Sequence, residues 1–153
     1  MPETAPTTLL ILGASGDLTS RLLLPGLASL LTVEPDRRVE VVGVDRAELD
    51  DQRWQSVVAE AMKDSEISAS RLDDLVSTTS YVQADLLDPQ MLADLLRDRS
   101  GQLVLYFALP PQVSVKVCAL LEDIDLPPGS RLALEKPLCH DLESARALNM
   151  QLL

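Results

Sequence analysis

The sequence predicts a doubly wound α/β domain, a parallel sheet with helices on both faces in three layers. Three observations predict it. Short apolar runs alternate five times with segments of helical periodicity. The first run stops at a small-residue turn, Gly13-Ala14-Ser15-Gly16, that opens into a Leu-rich segment. The remaining polar and glycine-proline features all fall at the same end of their strands.

Met1 to Pro6 reads as a short disordered tail, and residues 7–153 as one domain. Thr7 to Leu12 is the first strand. Asp17, a good N-cap residue, opens a helical pattern over Leu18 to Thr32, and Pro25-Gly26 is expected to break or kink it, giving a short turn and a second helix that starts at Pro25. The leucines from Leu22 to Leu31 read as core packing and not as a membrane segment: no apolar run approaches bilayer-spanning length, and Pro25 and Gly26 interrupt Leu22 to Val33. Arg38 to Val44 is the second strand, ending at Asp45-Arg46, and Arg37-Arg38 is an ordinary turn flank. Asp50 to Lys63 and Ile67 to Val76 are amphipathic helices, with Trp54 as a packing anchor. Ser80 to Ala84 is the third strand, ending at Asp85-Leu86. Asp88, with Pro89 behind it, caps a helix to Arg99. Gln102 to Leu109 is the fourth strand, apolar throughout as a strand covered on both faces would be, and Pro110-Pro111 stops it. Gln112 to Glu122 is helical. Arg131 to Glu135 is the fifth strand, closed by Lys136-Pro137, and Asp141 caps a last helix.

Right-handed crossovers then give the strand order 3-2-1-4-5, a Rossmann-like sheet. Ligands in such sheets lie outside the carboxyl ends of the strands. The residues at that edge are Gly13 to Asp17, Asp45-Arg46, Asp85-Leu86, Leu109 to Pro111 and Glu135-Lys136-Pro137. A glycine turn leading into a helix N-terminus aims backbone amides at that edge, where a phosphate fits, and glycine lets the backbone approach a ligand closely.

Composition narrows the partners. Only 3% of the residues are aromatic, so the core must be built from Leu, Val, Ala and Ile. A net charge of −11 argues against nucleic acid or an anionic membrane. Two widely separated cysteines, Cys118 and Cys139, suit a reducing cytoplasm and read as inert small hydrophobes. The single histidine, His140, leaves no set for a multi-histidine metal site, and no metal ligands are assigned.

Five segments carry a resemblance. They are G-A-S-G-D-L at 13–18, L-x-P-G-L at 23–27, G-x-x-R at 43–46, Y-x-A-L-P-P at 106–111 and E-K-P-L-C-H-D-L-E-S-A-R-A-L-N at 135–149. In order and spacing they resemble the N-terminal, coenzyme-binding half of glucose-6-phosphate dehydrogenase. The last is the most specific, the family's version being E-K-P-F-G-x-D-L-x-S-A-x-x-L-N.

The resemblance implies an oxidoreductase of the oxidative pentose phosphate pathway, taking glucose 6-phosphate to 6-phosphogluconolactone. It implies roles residue by residue. Gly13, Ala14, Ser15, Gly16, Asp17 and Leu18 would cradle the coenzyme pyrophosphate. Arg46 would grip the 2′-phosphate of NADP through a planar charged fork. Asp85 and Leu86 would lie near the adenosine end. Lys136 would sit between nicotinamide and sugar, and Pro137 resembles a hinge proline. No catalytic residue is assigned, because the family's R-I-D-H-Y-L-G-K-E motif has no counterpart in these 153 residues. The expectation is a fragment, or one chain of a split enzyme, inactive on sugar by itself. A non-catalytic nucleotide-binding or regulatory homologue is the alternative. A reductase or epimerase of another kind would need a Tyr-x-x-x-Lys pair, which neither Tyr81 nor Tyr106 offers.

The chain departs from the family's pattern at three places. Leu22 stands where a lysine is usual, Leu138-Cys139 replaces Phe-Gly, and Asp45 stands where a small neutral residue is usual. Asp45 matters most. An acidic residue after the second strand accepts from the ribose hydroxyls of NAD and repels a 2′-phosphate, whereas Arg46 attracts one. The expectation is NADP, with NAD the alternative on account of Asp45. The plainer reading of both is a surface Asp–Arg pair of little energetic worth.

Overall fold

A computed structural model describes residues 6–134 except Asp98 and Ser100. Five strands form one parallel sheet in the order β3-β2-β1-β4-β5, as the alternation predicts. They are β1 (Thr7–Leu12), β2 (Val39–Asp45), β3 (Ser80–Gln83), β4 (Gln102–Phe107) and β5 (Arg131–Leu134). β1 is central, with Leu12 beside Val44 on one side and Phe107 on the other. The helices are α1 (Leu24–Val33), α2 (Asp51–Met62), α3 (Ala69–Thr78), α4 (Pro89–Leu96) and α5 (Pro111–Leu121).

The two sheet faces carry separate apolar clusters. Leu10, Leu12, Val42, Val44, Leu105 and Phe107 pack against α4 and α5. Leu9, Ile11 and Val41 face Leu24 and Leu31 of α1 and Trp54 and Val58 of α2. This is the period-two alternation of strands buried on both sides. Side-chain caps start three of the helices. Asp50 Oδ1 accepts from the Arg53 amide at 2.7 Å, Ser68 Oγ from that of Arg71 at 3.3 Å, and Asp88 Oδ1 from that of Gln90 at 2.9 Å. Pro111, expected only as a strand stop, also begins α5, where its missing N–H costs nothing.

One expectation holds and several are corrected. A second helix does start at Pro25: α1 begins at Leu24 with Pro25 in its first turn, and what precedes it is a separate helical turn. Residues 19–23 form a π-helical turn in which Leu24 N–H donates to Thr19 O, five residues back. That register removes the need for a bond from residue 25 to the Arg21 carbonyl, so the proline is accommodated at the start of α1. Asp17 is the first helical residue rather than the cap before it. Leu22 and Leu30 are not core, being 66% and 42% exposed. β4 is fully covered on one face only. Val104 and Tyr106 remain half-buried on the other, beside a cavity of about 450 Å³ that Leu22, Leu27 and Leu30 also line. α4 ends at Leu96 rather than Arg99, the Arg97 amide closing it onto Ala93 O. Among the described residues no helix is long and apolar enough to cross a membrane.

Candidate functional site

β1 ends in a turn that only glycine can make. Gly13 has φ +89°, in the left-handed region. A Cβ there would also lie 2.5 Å from Ala108 O and 2.9 Å from Leu109 Cδ2. The turn is tied to its neighbours on both sides. The Gly13 and Ala14 amides donate to Val44 O at 2.9 and 3.1 Å, and Ala108 N–H donates to Leu12 O at 2.8 Å. Gly16 N–H then closes the turn onto Gly13 O at 3.2 Å, and the helix opens at Asp17. The first amides of a helix have no intrahelical acceptor and carry partial positive charge.

Gly16 differs from Gly13. Among the described residues a Cβ at Gly16 would meet only Gly13 O, at an ordinary 3.5 Å. Packing among them therefore does not demand glycine here, and its bare side lines an open cavity.

That cavity, of about 370 Å³, lies at the carboxyl edge of the sheet. Gly13, Ser15, Gly16, Asp45, Arg46, Asp85 and Leu86 line it, with Leu109, Pro110 and Val113 as an apolar wall. The structure thus gathers there most of the residues singled out for coenzyme from sequence. Ala14 of the turn and Asp17 and Leu18 at the start of the helix do not line it. Lys136, with Pro137, Cys139 and His140, lies outside the described residues.

The charges in the cavity are arranged in a specific way. Asp45 turns back on the glycine turn: its Oδ2 accepts from Ser15 Oγ at 2.5 Å and from the Ser15 amide at 3.0 Å. Its Oδ1 accepts from the Arg46 amide at 2.8 Å. Arg46 is exposed and is the one cation lining the cavity among the described residues. Asp85 Oδ1 accepts from the Leu87 amide at 3.0 Å, shaping the turn after β3, while Leu86 is buried beneath it.

The sequence reading passed over the support beneath Arg46. Tyr81 Oη donates to Ala47 O at 2.6 Å, and Gln83 Nε2 donates to Arg46 O at 3.1 Å. Burial raises the Tyr81 pKa, with the Asp45 charge adding to the effect, so the phenol keeps the proton it donates. The signal available was the i, i+2 spacing of the two residues on the strand next to β2, whose end Arg46 follows. Farther from the cavity, the Trp54 ring lies over Gly43, where a Cβ would come within 2.7 Å of it. Trp54 Nε1 donates to Thr79 Oγ1 at 2.8 Å, which donates to Val41 O at 2.6 Å. Trp54 is thus the packing anchor expected. Cys118 is buried on the opposite side of the sheet, its thiol pushed up to about 11 by desolvation.

Comparison with known proteins gives a consistent answer. The family model described as "Glucose-6-phosphate dehydrogenase, NAD binding domain" matches residues 10–153. Glucose-6-phosphate 1-dehydrogenase of Dickeya dadantii is 33% identical over 155 residues, covering 94% of this chain and 31% of its own length. That of Mycolicibacterium smegmatis is 30% identical over 161 residues, covering 94% and 32%. The crystal structure of glucose-6-phosphate 1-dehydrogenase from Mycobacterium avium superposes with a TM-score of 0.80 at 27% identity, over 97% of this chain and 34% of that one. The chain spans about a third of the length of the curated relatives it matches.

Proposed function

The chain belongs to the glucose-6-phosphate dehydrogenase family through its NAD-binding domain, and from that premise we propose that its glycine turn and Arg46 bind NADP in preference to NAD. The observation that carries the reading is Gly16 and Arg46 on one cavity. Gly16 is a glycine that packing does not require, so the bare backbone suits a ligand's close approach. Arg46 supplies positive charge at an edge otherwise lined by the carboxylates Asp45 and Asp85. Asp45, whose position would favour NAD, has both carboxylate oxygens engaged by Ser15 and the Arg46 amide. That supports the phosphate-bearing coenzyme.

The residues present fit such a group. Gly13 and Gly16 keep the turn free of Cβ atoms, so the pyrophosphate would lie against the turn and face the N-terminus of the helix that opens at Asp17. Arg46 forks onto the 2′-phosphate. Asp85 and Leu86 border the adenosine, and Leu109, Pro110 and Val113 exclude water from one side. When bound, the nicotinamide supplies a hydride acceptor. Lys136, by its place in the E-K-P motif, would hydrogen-bond the sugar. The whole protein would oxidise C1 of glucose 6-phosphate to the lactone, in a reducing cytoplasm. The reaction also needs a base for the C1 hydroxyl proton, and the family's R-I-D-H-Y-L-G-K-E motif has no counterpart in these residues. These 153 residues are therefore expected to bind coenzyme without turning over sugar.

Calorimetric titration of the 153-residue chain with NADP and NAD tests the coenzyme reading. Tighter binding of NADP, lost in Gly16→Val, supports it. Equal affinity for the two coenzymes, or no binding of either, defeats it.

A further inference from the structure

We propose that Tyr81 and Gln83 of β3 are positioning residues for coenzyme choice, acting by holding the backbone that carries Arg46. The inference rests on the reading of Arg46 as the 2′-phosphate ligand. Three consecutive carbonyls, that of the last residue of β2 and the two that follow it, are each held from the end of β3. Asp45 O accepts from the Ala84 amide at 2.9 Å, Arg46 O from Gln83 Nε2 at 3.1 Å, and Ala47 O from Tyr81 Oη at 2.6 Å. The first continues the parallel ladder and any sequence would supply it. The other two come from side chains, and they pin the peptide units that follow Arg46 and Ala47.

The clamp is itself anchored. Tyr81 is only 9% exposed, its ring 5.9 Å from that of Trp54, and its amide donates to Asp51 Oδ1 at 2.9 Å in the first turn of α2. Tyr81 and Gln83 share a face of β3, so both reach across the strand end toward the same three-residue segment. Arg46 is exposed, with a long side chain that loses rotamer freedom when it grips a phosphate. A fixed backbone on its carboxyl side reduces what must be ordered at that moment, which is how preorganisation raises affinity. The effect is confined to the part of the ligand that Arg46 meets. The glycine turn is held separately, by Val44 O and Asp45.

The test uses the 153-residue chain and two probes that differ only in the 2′-phosphate, adenosine 2′,5′-bisphosphate and adenosine 5′-monophosphate, titrated calorimetrically. Tyr81→Phe is expected to weaken the bisphosphate by roughly three- to tenfold, the effect of one hydrogen bond, and to leave the monophosphate within about twofold. In an Arg46→Ala background the same change should no longer alter the ratio. A merely structural role would weaken both probes alike and persist without Arg46. Gln83→Leu changes an exposed side chain and runs the same comparison should Tyr81→Phe fold poorly. A preference for the bisphosphate that Arg46→Ala abolishes, but that neither β3 variant reduces, overturns this inference alone. Equal binding of both probes by the unmodified chain removes the Arg46 reading, and this inference with it.

Discussion

Ser15 and Asp45, thirty residues apart, share three atoms of contact: the Ser15 hydroxyl and amide both donate to the single oxygen Oδ2 of Asp45, at 2.5 and 3.0 Å. The carboxylate thus holds donors in the turn where a coenzyme phosphate is proposed to bind, and it does so from the strand end that also carries Arg46. A hydrogen-bonded carboxylate and an exposed guanidinium thus stand on consecutive residues lining one cavity.

Removing the anion is expected to favour an anionic ligand. Asp45→Ala should tighten NADP binding by about 1 kcal/mol, the scale of an exposed charge interaction. The gain should shrink in 1 M salt, where screening is nearly complete at these distances. Titrations at low and high salt check it. Weaker NADP binding in Asp45→Ala would instead make the ordered turn worth more than the lost repulsion.

Removing the cation should do the reverse, and selectively. Arg46→Ala is expected to weaken NADP by about 1.5–3 kcal/mol, the range for a hydrogen bond to a charged group, and to leave NAD almost unchanged. Equal losses for the two coenzymes would show that Arg46 does not read the 2′-phosphate.

The turn beneath them should tolerate no side chain at its first glycine. Gly13→Ala combines a left-handed backbone with a Cβ driven against Ala108 O, and should cost on the order of 3 kcal/mol. Gly16→Ala meets neither obstacle and should leave stability within about 0.5 kcal/mol. Urea midpoints of the two variants, measured side by side, make the comparison.

Gly43 answers to packing of a different kind. Gly43→Ala pushes a Cβ into the Trp54 ring and should destabilise by about 1–3 kcal/mol. Because Trp54 also holds Thr79 through Nε1, the tryptophan near-ultraviolet dichroism should change with it. An unaltered spectrum and midpoint would show that the ring moves aside freely.

The buried thiol sets one pH limit. Cys118 titrates near 11 when folded and near 9 when free, so its contribution is fully present below pH 9 and lost as pH rises to 11. The loss should be on the order of 2 kcal/mol. Urea midpoints between pH 8.5 and 11 should fall less steeply in Cys118→Ala than in the unmodified chain.

What the sequence by itself determined is what neighbouring residues decide among themselves. Alternating apolar runs mark the five strands, and Asp88 and Pro89 mark a helix start. Gly13 marks the turn, because turn chemistry and periodicity act within a few residues. The parallel order follows from crossover handedness, so the strand ends, and with them the edge where Gly13, Arg46 and Asp85 meet, are legible in the chain alone. The tertiary structure decided the rest. A leucine stripe does not say which neighbour will cover it, and Leu22 and Leu30 stay exposed because no described element lies over them. Pro25 reads as a helix breaker until the turn before it adopts a π register. The Asp45-Arg46 pair reads as a conflict between two coenzymes. Only the fold brings Ser15 onto one carboxylate oxygen and Tyr81 and Gln83 onto the carbonyls behind Arg46. Those contacts span 30 to 37 residues, and a hydrogen bond between residues so far apart exists only once the sheet has aligned the strands that carry them.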